Sequence, residues 1–427
     1  MKVFRCVLMV WVLLWLTLPG LAEPCEKVER TLRLLQSRHM NRLQEGELMT
    51  GALEGARREA ERLGLEWKPS QGTPAQQVME LVRRHPQLCD AALRGAVARV
   101  GDQYTAYLDQ GEFRLLLSSL EADRAGGLGL YVVSDQSAPQ GLLVLDVFED
   151  SPASKAGLKV GDVLLSVGSQ ACNEIGVEAT RAGLAGEPGT PVAIAFDRAG
   201  ATKELTLTRA PLTRPTVYHR LLKRDGHRLG YVRIRVFGAS TAQEFRKALD
   251  ELRKESVEGL VLDLRNNGGG YLQSAVEVCS NLLPDGQRVV SVVDREGRRE
   301  YHNTLHCSQV FRAPLVVLVN EHTASAAEVT AAALREHHLA TLLGHRSFGK
   351  ATVQRVVQLG DGTALKLTTA HYRTPSDVDI NGLGLEPDRE VTGTLSQLWA
   401  ADDPQLKEGL EELLSPRWVG RDTKPGS

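Results

Sequence analysis

One serine in the sequence stands where an apolar strand gives way to a helix-forming segment. Leu315–Asn320 is aliphatic except for its last residue, and Ser325 opens an Ala-rich stretch that ends at Leu334. A serine at a helix N-terminus lies beside backbone N–H groups that have no intrahelical acceptor. Such groups can stabilise the oxyanion that forms when a hydroxyl attacks a carbonyl carbon. Ser325 is therefore a candidate nucleophile, although a serine at this place is more often a helix cap.

A serine nucleophile needs a base, and a lysine follows in the segment Ser347-Phe-Gly-Lys350-Ala-Thr-Val-Gln354. If this segment is extended, Lys350 and Gln354 lie on one face, because side chains alternate along a strand. Lowering a lysine pKa from about 10.4 to about 7 costs roughly 4.6 kcal/mol, which burial can supply. The Gln354 amide can orient the amine without adding a negative charge. By spacing alone, a surface lysine on a strand is the simpler interpretation.

A glycine run follows another apolar strand. Asp263-Leu-Arg-Asn-Asn267 precedes glycines 268–270, and consecutive glycines allow close backbone approach and offer N–H donors to an anion. No Gly-Lys-Ser/Thr follows, and no complete dinucleotide-binding glycine pattern occurs, so the common nucleotide-binding loops are excluded. A tight turn between strand and helix is the alternative interpretation.

Other residue combinations match known sites less well. Ser347 and Lys350 have the Ser-x-x-Lys spacing of penicillin-recognising enzymes, but Gly349 falls where a helical turn is needed and no Lys-Thr-Gly occurs. His322 lies near Ser325 without a Gly-x-Ser-x-Gly elbow. The remaining candidate metal ligands are His302, His306, Cys307, His337 and His338. Their spacings fit no standard zinc pattern, so no metal and no cofactor are expected.

The elements that would position these residues alternate between strands and helices. Gly230–Val236, Gly259–Leu264 and Leu315–Val319 predict strands, and Thr241–Lys254 predicts a helix, which together predict an α/β core. Upstream, β-branched runs at 142–148, 163–167, 192–196 and 205–207 predict a small β-rich domain. Residues 27–66, residues 75–121 with a break at 101–107, and the C-terminal stretch 395–414 are typical of helices.

A glycine-rich loop at the start of the β-rich domain could bind a peptide. Gly126-Gly-Leu-Gly-Leu130 precedes a strand, and Ser151–Leu158 leads to Gly161-Asp162. Such a loop beside an exposed strand edge can hold a C-terminal carboxylate while the peptide adds as a further strand. A plain β-turn is the alternative.

The first residues predict export. Lys2 and Arg5 precede an apolar run that ends before Pro19-Gly-Leu-Ala22, which describes a signal peptide cut after Ala22. The run is short for a membrane span, although an uncleaved anchor is the alternative. Export predicts a location in the periplasm or on the extracellular face of the cell envelope.

Export also brings the cysteines into an oxidising compartment. Five cysteines remain after the predicted cut, an odd number, so at least one thiol is left over. Cys25–Cys89 and Cys279–Cys307 are the candidate pairs, and unpaired buried thiols are the alternative.

Composition limits the class of protein. The chain has 427 residues, 42% of them apolar, which is enough for two or three domains and excludes a wholly disordered chain. Its formal net charge of −2 does not favour nucleic acid or an anionic membrane as a partner.

Taken in order, these segments resemble the carboxyl-terminal processing (tail-specific) proteases. The resemblance extends from about Leu93 to Arg389. Within that range, three further segments match the family: Gly101–Leu108, Gly230–Ile234 and Thr374–Asp388. Together with the predicted signal peptide (1–22), the resemblance divides the chain into four parts. The other three are an N-terminal helical region (23–121), a PDZ domain (122–211) and a serine protease α/β core with a C-terminal helical tail (212–427). The core would have a crotonase- or Clp-protease-like sheet covered by helices.

The resemblance also implies residue roles. Ser325 would be the nucleophile, Lys350 the general base and Gln354 the residue that positions the lysine. The oxyanion would bind the N–H of Ala326 and that of Gly269 or Gly270, between which the sequence does not choose. The candidate tail contacts are Gly127, Leu128, Gly129 and Leu130. Arg265 and Glu328 also match family motifs and are assigned structural roles.

The implied function is an exported serine endopeptidase that cuts proteins near their C-termini. Its partners would be protein or peptide substrates with free C-terminal tails, and not nucleic acid; the sequence leaves open whether it forms a homo-oligomer. Ala351, Ala327 and the pair Asp377-Val378 depart from the family pattern without removing a catalytic group. The rival interpretations are a non-catalytic tail-binding protein and a hydrolase of small acyl substrates.

Overall fold

The computed structural model describes residues 24–66, 71–120, 126–135, 138–212, 215–399 and 402–415. The helices, in chain order, are α1 Pro24–Arg38, α2 Glu45–Arg62, α3 Pro74–Arg84, α4 Cys89–Ala98, α5 Gln110–Leu120, α6 Pro152–Lys155, α7 Cys172–Leu184, α8 Thr241–Lys254, α9 Leu272–Ser280, α10 Ala326–Glu336 and α11 Pro404–Leu413. The first nine strands are β1 Ala106–Leu108, β2 Gly126–Gly127, β3 Leu130–Val133, β4 Leu142–Val147, β5 Val163–Val167, β6 Gln170–Ala171, β7 Pro191–Arg198, β8 Ala201–Thr208 and β9 Ala210–Pro211. The others are β10 Val217–Arg224, β11 His227–Ile234, β12 Gly259–Asp263, β13 Arg288–Asp294, β14 Arg299–Asn303, β15 Leu315–Val319, β16 Ala340–Gly344, β17 Thr352–Gln358, β18 Ala364–Arg373 and β19 Arg389–Glu390.

The chain divides into two compact units, and the predicted signal peptide lies outside the described residues. The first unit contains the described parts of residues 1–37, 43–110 and 356–367, and the second contains the rest. The domain boundaries drawn from the sequence stay predictions.

The first unit is built around the helix pair α2 and α4. Their backbones meet at glycines, since a Cβ atom on Gly95 would lie only 2.2 Å from the carbonyl oxygen of Gly51. The buried side chains of Leu48, Leu81 and Leu93 belong to its core. Strand β1 pairs in antiparallel register with residues 364–366, so part of a distant segment completes this unit.

The β-rich domain lies in the second unit. Its sheet has the strand order β3-β4-β5-β7-β8, which leaves β3 at one edge, and β2 pairs separately with β9. Val144, Leu164 and Phe196 form its core together with Leu184 of α7. The four strands predicted here correspond to β4, β5, β7 and β8.

The α/β core lies in the same unit. Its sheet has the order β10-β11-β12-β15-β16-β19, antiparallel between β10 and β11 and parallel from β11 onward. Helices α8, α9 and α10 contribute to the core on one face, which includes Val317, and α11 contributes to the other, which includes Val316. Burial on both faces explains the uninterrupted aliphatic sequence of β15.

Local sequence predicted most of these elements. The predicted helix Thr241–Lys254 and strand Leu315–Val319 match α8 and β15 in their bounds. The predicted C-terminal helix is shorter, because one 3₁₀ turn at Leu395–Gln397 precedes α11. Asp403 caps α11 by accepting from the N–H groups of Gln405 and Leu406, and this cap determines where the helix begins.

The cysteines correct one expectation. Cys279 is a fully buried free thiol in the α/β core, and burial raises its pKa to about 12. Cys307 is also free, and its Sγ donates to Asn281 Oδ1 at 3.7 Å. The predicted pair Cys279–Cys307 is therefore wrong, because Cys279 is oriented into the core instead of toward the 307 loop. The pair Cys25–Cys89 involves a side chain, Cys25, outside the described residues.

Candidate active site

Ser325 lies at the junction between β15 and α10. Its backbone has φ 56° and ψ −120°, a conformation that costs a non-glycine residue on the order of 1–3 kcal/mol. The Ser325 side chain is buried, and the Ser325 backbone N–H donates to Glu328 Oε2 at 2.9 Å. The strained turn places a hydroxyl at the N-terminus of a helix, as the sequence predicted for this residue.

Glu328 joins this turn to the lysine segment. Its carboxylate is fully buried. Oε2 accepts from the N–H groups of Ser325 and Lys350, each at 2.9 Å. Oε1 accepts from the Ser347 hydroxyl at 2.5 Å and the Gly349 N–H at 2.7 Å. One side chain therefore holds both segments that carry the predicted nucleophile and base.

Lys350 lies in the loop just before β17, not inside a strand. The Phe348 N–H donates to the Thr323 carbonyl at 2.9 Å, so the loop also contacts the turn before Ser325. Gly349 has φ 85°, and a Cβ there would lie 2.7 Å from the Gly384 nitrogen, so only glycine fits. These contacts bring the lysine backbone to the serine turn.

Gln354 lies within β17, whereas Lys350 precedes the strand, so the two residues do not share one extended segment. Its side chain is partly buried, and its Nε2 donates to the Thr352 hydroxyl at 2.7 Å. Thr352 and Gln354 share one face of the strand, since side chains alternate. The role of Gln354 as the residue that positions Lys350 stays a proposal.

Tyr372 is a site residue that the sequence did not reveal. It lies in β18, is almost fully buried, and donates its backbone N–H to the Ala351 carbonyl at 2.7 Å. Burial raises the pKa of Tyr372 to about 12, and a side-chain hydrogen bond with Ser325 opposes that rise. The phenol is therefore neutral at ordinary pH and acts as a hydrogen-bond partner of Ser325. Its place on a buried strand is the only feature of the local sequence that could have indicated a role for Tyr372.

The glycine run lies directly beside Ser325. A Cβ on Gly269 would lie 2.7 Å from the Ser325 Cβ, and the residue has φ 97°. The Gly269 N–H donates to Asn267 Oδ1 at 2.9 Å, so it is already engaged. In contrast, no acceptor among the described residues takes the N–H groups of Gly270 and Ala326. Of the two predicted glycine donors, Gly270 therefore has the available N–H group, and the oxyanion role itself stays a proposal.

The β-rich domain contacts the same glycine loop. Asn266 donates from Nδ2 to the Leu145 carbonyl of β4 at 2.9 Å, and its N–H donates to Asn320 Oδ1 at 2.9 Å. Next to Leu145, Asp146 forms ion pairs with Arg233 and Arg235 at 3.0 and 2.6 Å. Burial alone would raise the pKa of Asp146, but the two arginines hold it below its usual value. These contacts connect the domain to the loop that bears Gly270.

Of the predicted tail contacts, Leu130 begins the edge strand of the β-rich sheet, and the other three immediately precede it. Gly127 pairs with Ala210, and the Leu128 side chain is fully buried. Gly129 has φ 81°, and its carbonyl accepts from the Phe148 N–H at 2.8 Å. The chain then enters edge strand β3 at Leu130. The loop and the edge are thus adjacent, as peptide addition requires.

Over the part of the chain that the structure describes, no group of three or more His, Cys, Asp or Glu side chains is arranged to hold a metal ion. Within those same residues, no helix is both long and apolar enough to cross a membrane.

Arg265 is fully buried between Asp263 and Asp403, with Nη2 at 2.6 and 2.7 Å from their carboxylates, and holds α11 against β12.

Comparison with known proteins identifies the family. One protein-family model, described as a PDZ domain, matches residues 126–208, and another, described as peptidase family S41, matches residues 228–391. Carboxy-terminal processing protease CtpB of Bacillus subtilis is 33% identical over 328 residues, which cover 76% of this chain and 67% of that protein. This chain belongs to the carboxyl-terminal processing proteases of family S41.

Other relatives agree with this assignment. The chloroplastic C-terminal processing peptidase of Tetradesmus obliquus is 35% identical over 328 residues, or 73% of this chain and 69% of that one. The solved structure of a photosystem II D1 C-terminal processing protease has a TM-score of 0.64 at 28% identity, covering 90% of this chain and 99% of that chain. The predicted fold class is confirmed, and this processing protease is a serine-type peptidase that cleaves proteins near their C-termini.

The role of Glu328 in this processing protease can be tested with Glu328→Gln. An amide has one acceptor oxygen, so its NH₂ group would face two of the four donors now bound, and the serine and lysine segments would separate. We expect kcat to fall about 100-fold, or about 2.7 kcal/mol, with KM nearly unchanged. Steady-state cleavage of a fluorogenic peptide measures both constants.

The matched control is Glu336→Gln at the far end of α10, where the carboxylate accepts one N–H, that of Ser376, at 2.7 Å. It should retain the wild-type kcat. A Glu328→Gln variant with the kcat of this control would show that Glu328 does not position the site.

Proposed function

We propose that this processing protease uses Ser325 as its nucleophile and Lys350 as its general base, with Gln354 as the residue that positions the lysine. The observation that carries the proposal is the buried Glu328 carboxylate, which accepts from the backbone N–H groups of both Ser325 and Lys350. Such an arrangement holds the backbone of the two segments in one geometry.

The proposed reaction follows from these roles. The neutral Lys350 amine takes the proton of Ser325 as the Ser325 oxygen attacks the substrate carbonyl carbon. The N–H groups of Ala326 and Gly270 bind the oxyanion, which is the charge that develops in the transition state. The Lys350 ammonium then protonates the leaving amine, and neutral Lys350 next activates the water that hydrolyses the acyl-enzyme.

Tail recognition is assigned to the PDZ domain. A substrate C-terminus would add to edge strand β3, with its carboxylate on the N–H groups of the loop that contains Gly129 and Leu130. This recognition favours cutting near a free C-terminus over hydrolysis of small acyl compounds, which need no strand edge. Contact between Asn266 and Leu145 supports a tail site that lies close to the catalytic loop.

Export of the chain is part of the same proposal. Residues 1–22 have the charged start, apolar run and small-residue cut site of a signal peptide. The location proposed is the periplasm or the extracellular face of the cell envelope, where protein tails are the substrates. N-terminal sequencing of the secreted chain should give a sequence that begins at Glu23.

The tail proposal predicts that amidating a substrate's C-terminus slows its cleavage. A carboxylate held by N–H groups contributes about 1.5–3 kcal/mol, so kcat/KM should fall about 10- to 100-fold for the amide. An unstructured protein with an apolar C-terminus, prepared in both forms, serves as substrate, and mass spectrometry follows its cleavage.

Acetylating the N-terminus of the same substrate removes a charge at the other end and should leave the rate unchanged. Equal rates for the free acid and the amide would refute recognition of the carboxylate. Binding of the free-acid tail without any cleavage would instead favour the non-catalytic binding protein.

A further inference from the structure

Strand β3 offers backbone groups to an incoming peptide at every second residue. The Gly129 carbonyl accepts from Phe148, and Tyr131 stands opposite Asp146 in the ladder with β4. Because the backbone groups of an antiparallel strand alternate in direction, those of Leu130 and Val132 face the open edge. A tail whose last residue lies opposite Leu130 would place its third-from-last residue opposite Val132.

An arginine side chain already binds the backbone carbonyl of Val132. Arg181 of α7 donates from Nη2 and Nε to the Val132 carbonyl at 2.8 and 3.2 Å. Its guanidinium also lies over the Tyr131 ring, 4.7 Å from the centroid. The acceptor that a peptide strand would use at Val132 is therefore taken by a cationic side chain.

The charge of Arg181 is only weakly balanced. Among the residues that the structure describes, its ion-pair partner is Glu178, at 3.2 Å, and the Glu178 side chain is 65% exposed. Exposed pairs of this kind contribute little. A tail that takes the Val132 carbonyl displaces the guanidinium from two hydrogen bonds, and the guanidinium then needs a new acceptor.

The tail residue itself can supply that acceptor. Residues directly opposite each other in an antiparallel pair place their side chains on the same face. The Val132 side chain is buried in the core that also contains Leu184 of α7, so the facing tail side chain lies on the face that α7 covers. A carboxylate there can pair with the displaced Arg181.

We propose that Arg181 makes the tail-binding edge selective for substrates whose third residue from the C-terminus is Asp or Glu. This inference rests on the proposed tail recognition by the PDZ domain. A neutral residue at that position leaves the displaced guanidinium with Glu178 and water, whereas an acidic one restores a charge-assisted hydrogen bond.

Peptide binding to the full chain tests this selectivity. Two fluorescent peptides with an apolar last residue, identical except for Asp or Asn at the third position from the end, are titrated into the Ser325→Ala chain, each as free acid and amide. The Asp free acid should bind about tenfold more tightly than the Asn free acid. In the added Arg181→Gln variant, the two free acids should bind within about twofold of each other.

Arg253→Gln is the matched control. Arg253 also lies on a helix, pairs with an acidic residue three positions earlier at 2.5 Å, and donates to a backbone carbonyl, that of Gln309, at 2.6 Å. It should leave the Asp preference intact.

The outcomes separate this inference from the proposed function. Free acids that bind more tightly than their amides, without an Asp preference, would overturn the inference alone. An Asp preference that persists in Arg181→Gln would also overturn it. If the free acids bind no better than the amides, the proposed tail recognition fails and the inference fails with it.

Discussion

Replacing Lys350 by arginine is expected to reduce peptide-bond cleavage by at least about 10⁴-fold while the chain keeps its fold. Arginine has a side chain of similar length, but its guanidinium cannot lose a proton at neutral pH and so cannot act as a base. The contact of this residue with Glu328 is made by its backbone N–H, which the variant retains. A fluorogenic peptide measures kcat/KM, and circular dichroism monitors the fold.

Lys247→Arg provides the control for this substitution. The Lys247 side chain is 78% exposed on helix α8 and lies 4.0 Å from Glu251, so the change should leave kcat/KM unaltered. Turnover by Lys350→Arg at more than a small fraction of the wild-type rate would exclude Lys350 as the general base.

The second large effect is expected for Ser325→Ala. Loss of the nucleophile should lower kcat by about 10⁴- to 10⁶-fold, leaving the contribution of substrate binding and the oxyanion donors. Both residues carry a Cβ at φ 56°, so backbone strain is unchanged. A fluorophosphonate should label the wild-type chain on the peptide that contains Ser325 and should not label the variant.

Ser347→Ala distinguishes the competing serine. The Ser347 hydroxyl is buried, donates to Glu328 at 2.5 Å and accepts from the Leu385 N–H at 2.7 Å, so both of its functions are structural. The variant should still be labelled on Ser325. Labelling on Ser347 instead, with activity retained by Ser325→Ala, would make Ser347 and Lys350 the reacting pair.

Local sequence predicts several elements and the order of the motifs. Helix α8 and strand β15 were predicted in their bounds, because amphipathic and aliphatic periodicity are local properties of the chain. The position of Ser325 between a strand and a helix is likewise predicted from neighbouring residues alone. The family resemblance required only that short motifs follow one another in a particular order, which no single motif could establish.

Other features of the site depend on side chains that are far apart in sequence. Glu328 was assigned a structural role, but its four donors extend from Ser325 to Lys350, and no spacing rule predicts one carboxylate shared by two segments. Tyr372 contacts Ser325 only because β18 passes beside the serine turn. The choice of Gly270 over Gly269 rests on the Asn267 side chain, which takes one N–H and leaves the other.

The tertiary structure also decided which residues do not meet. Cys279 and Cys307 are a candidate disulfide pair in the sequence, but the Cys279 thiol is buried in the core and the Cys307 thiol contacts Asn281. Nothing in the local sequence singles out Arg181, and only the packing of α7 places its guanidinium on the Val132 carbonyl. Periodicity is a property of neighbouring residues, so it can be read from the sequence. Hydrogen-bond partners across a fold depend on how the elements pack, so they can be identified only in the structure.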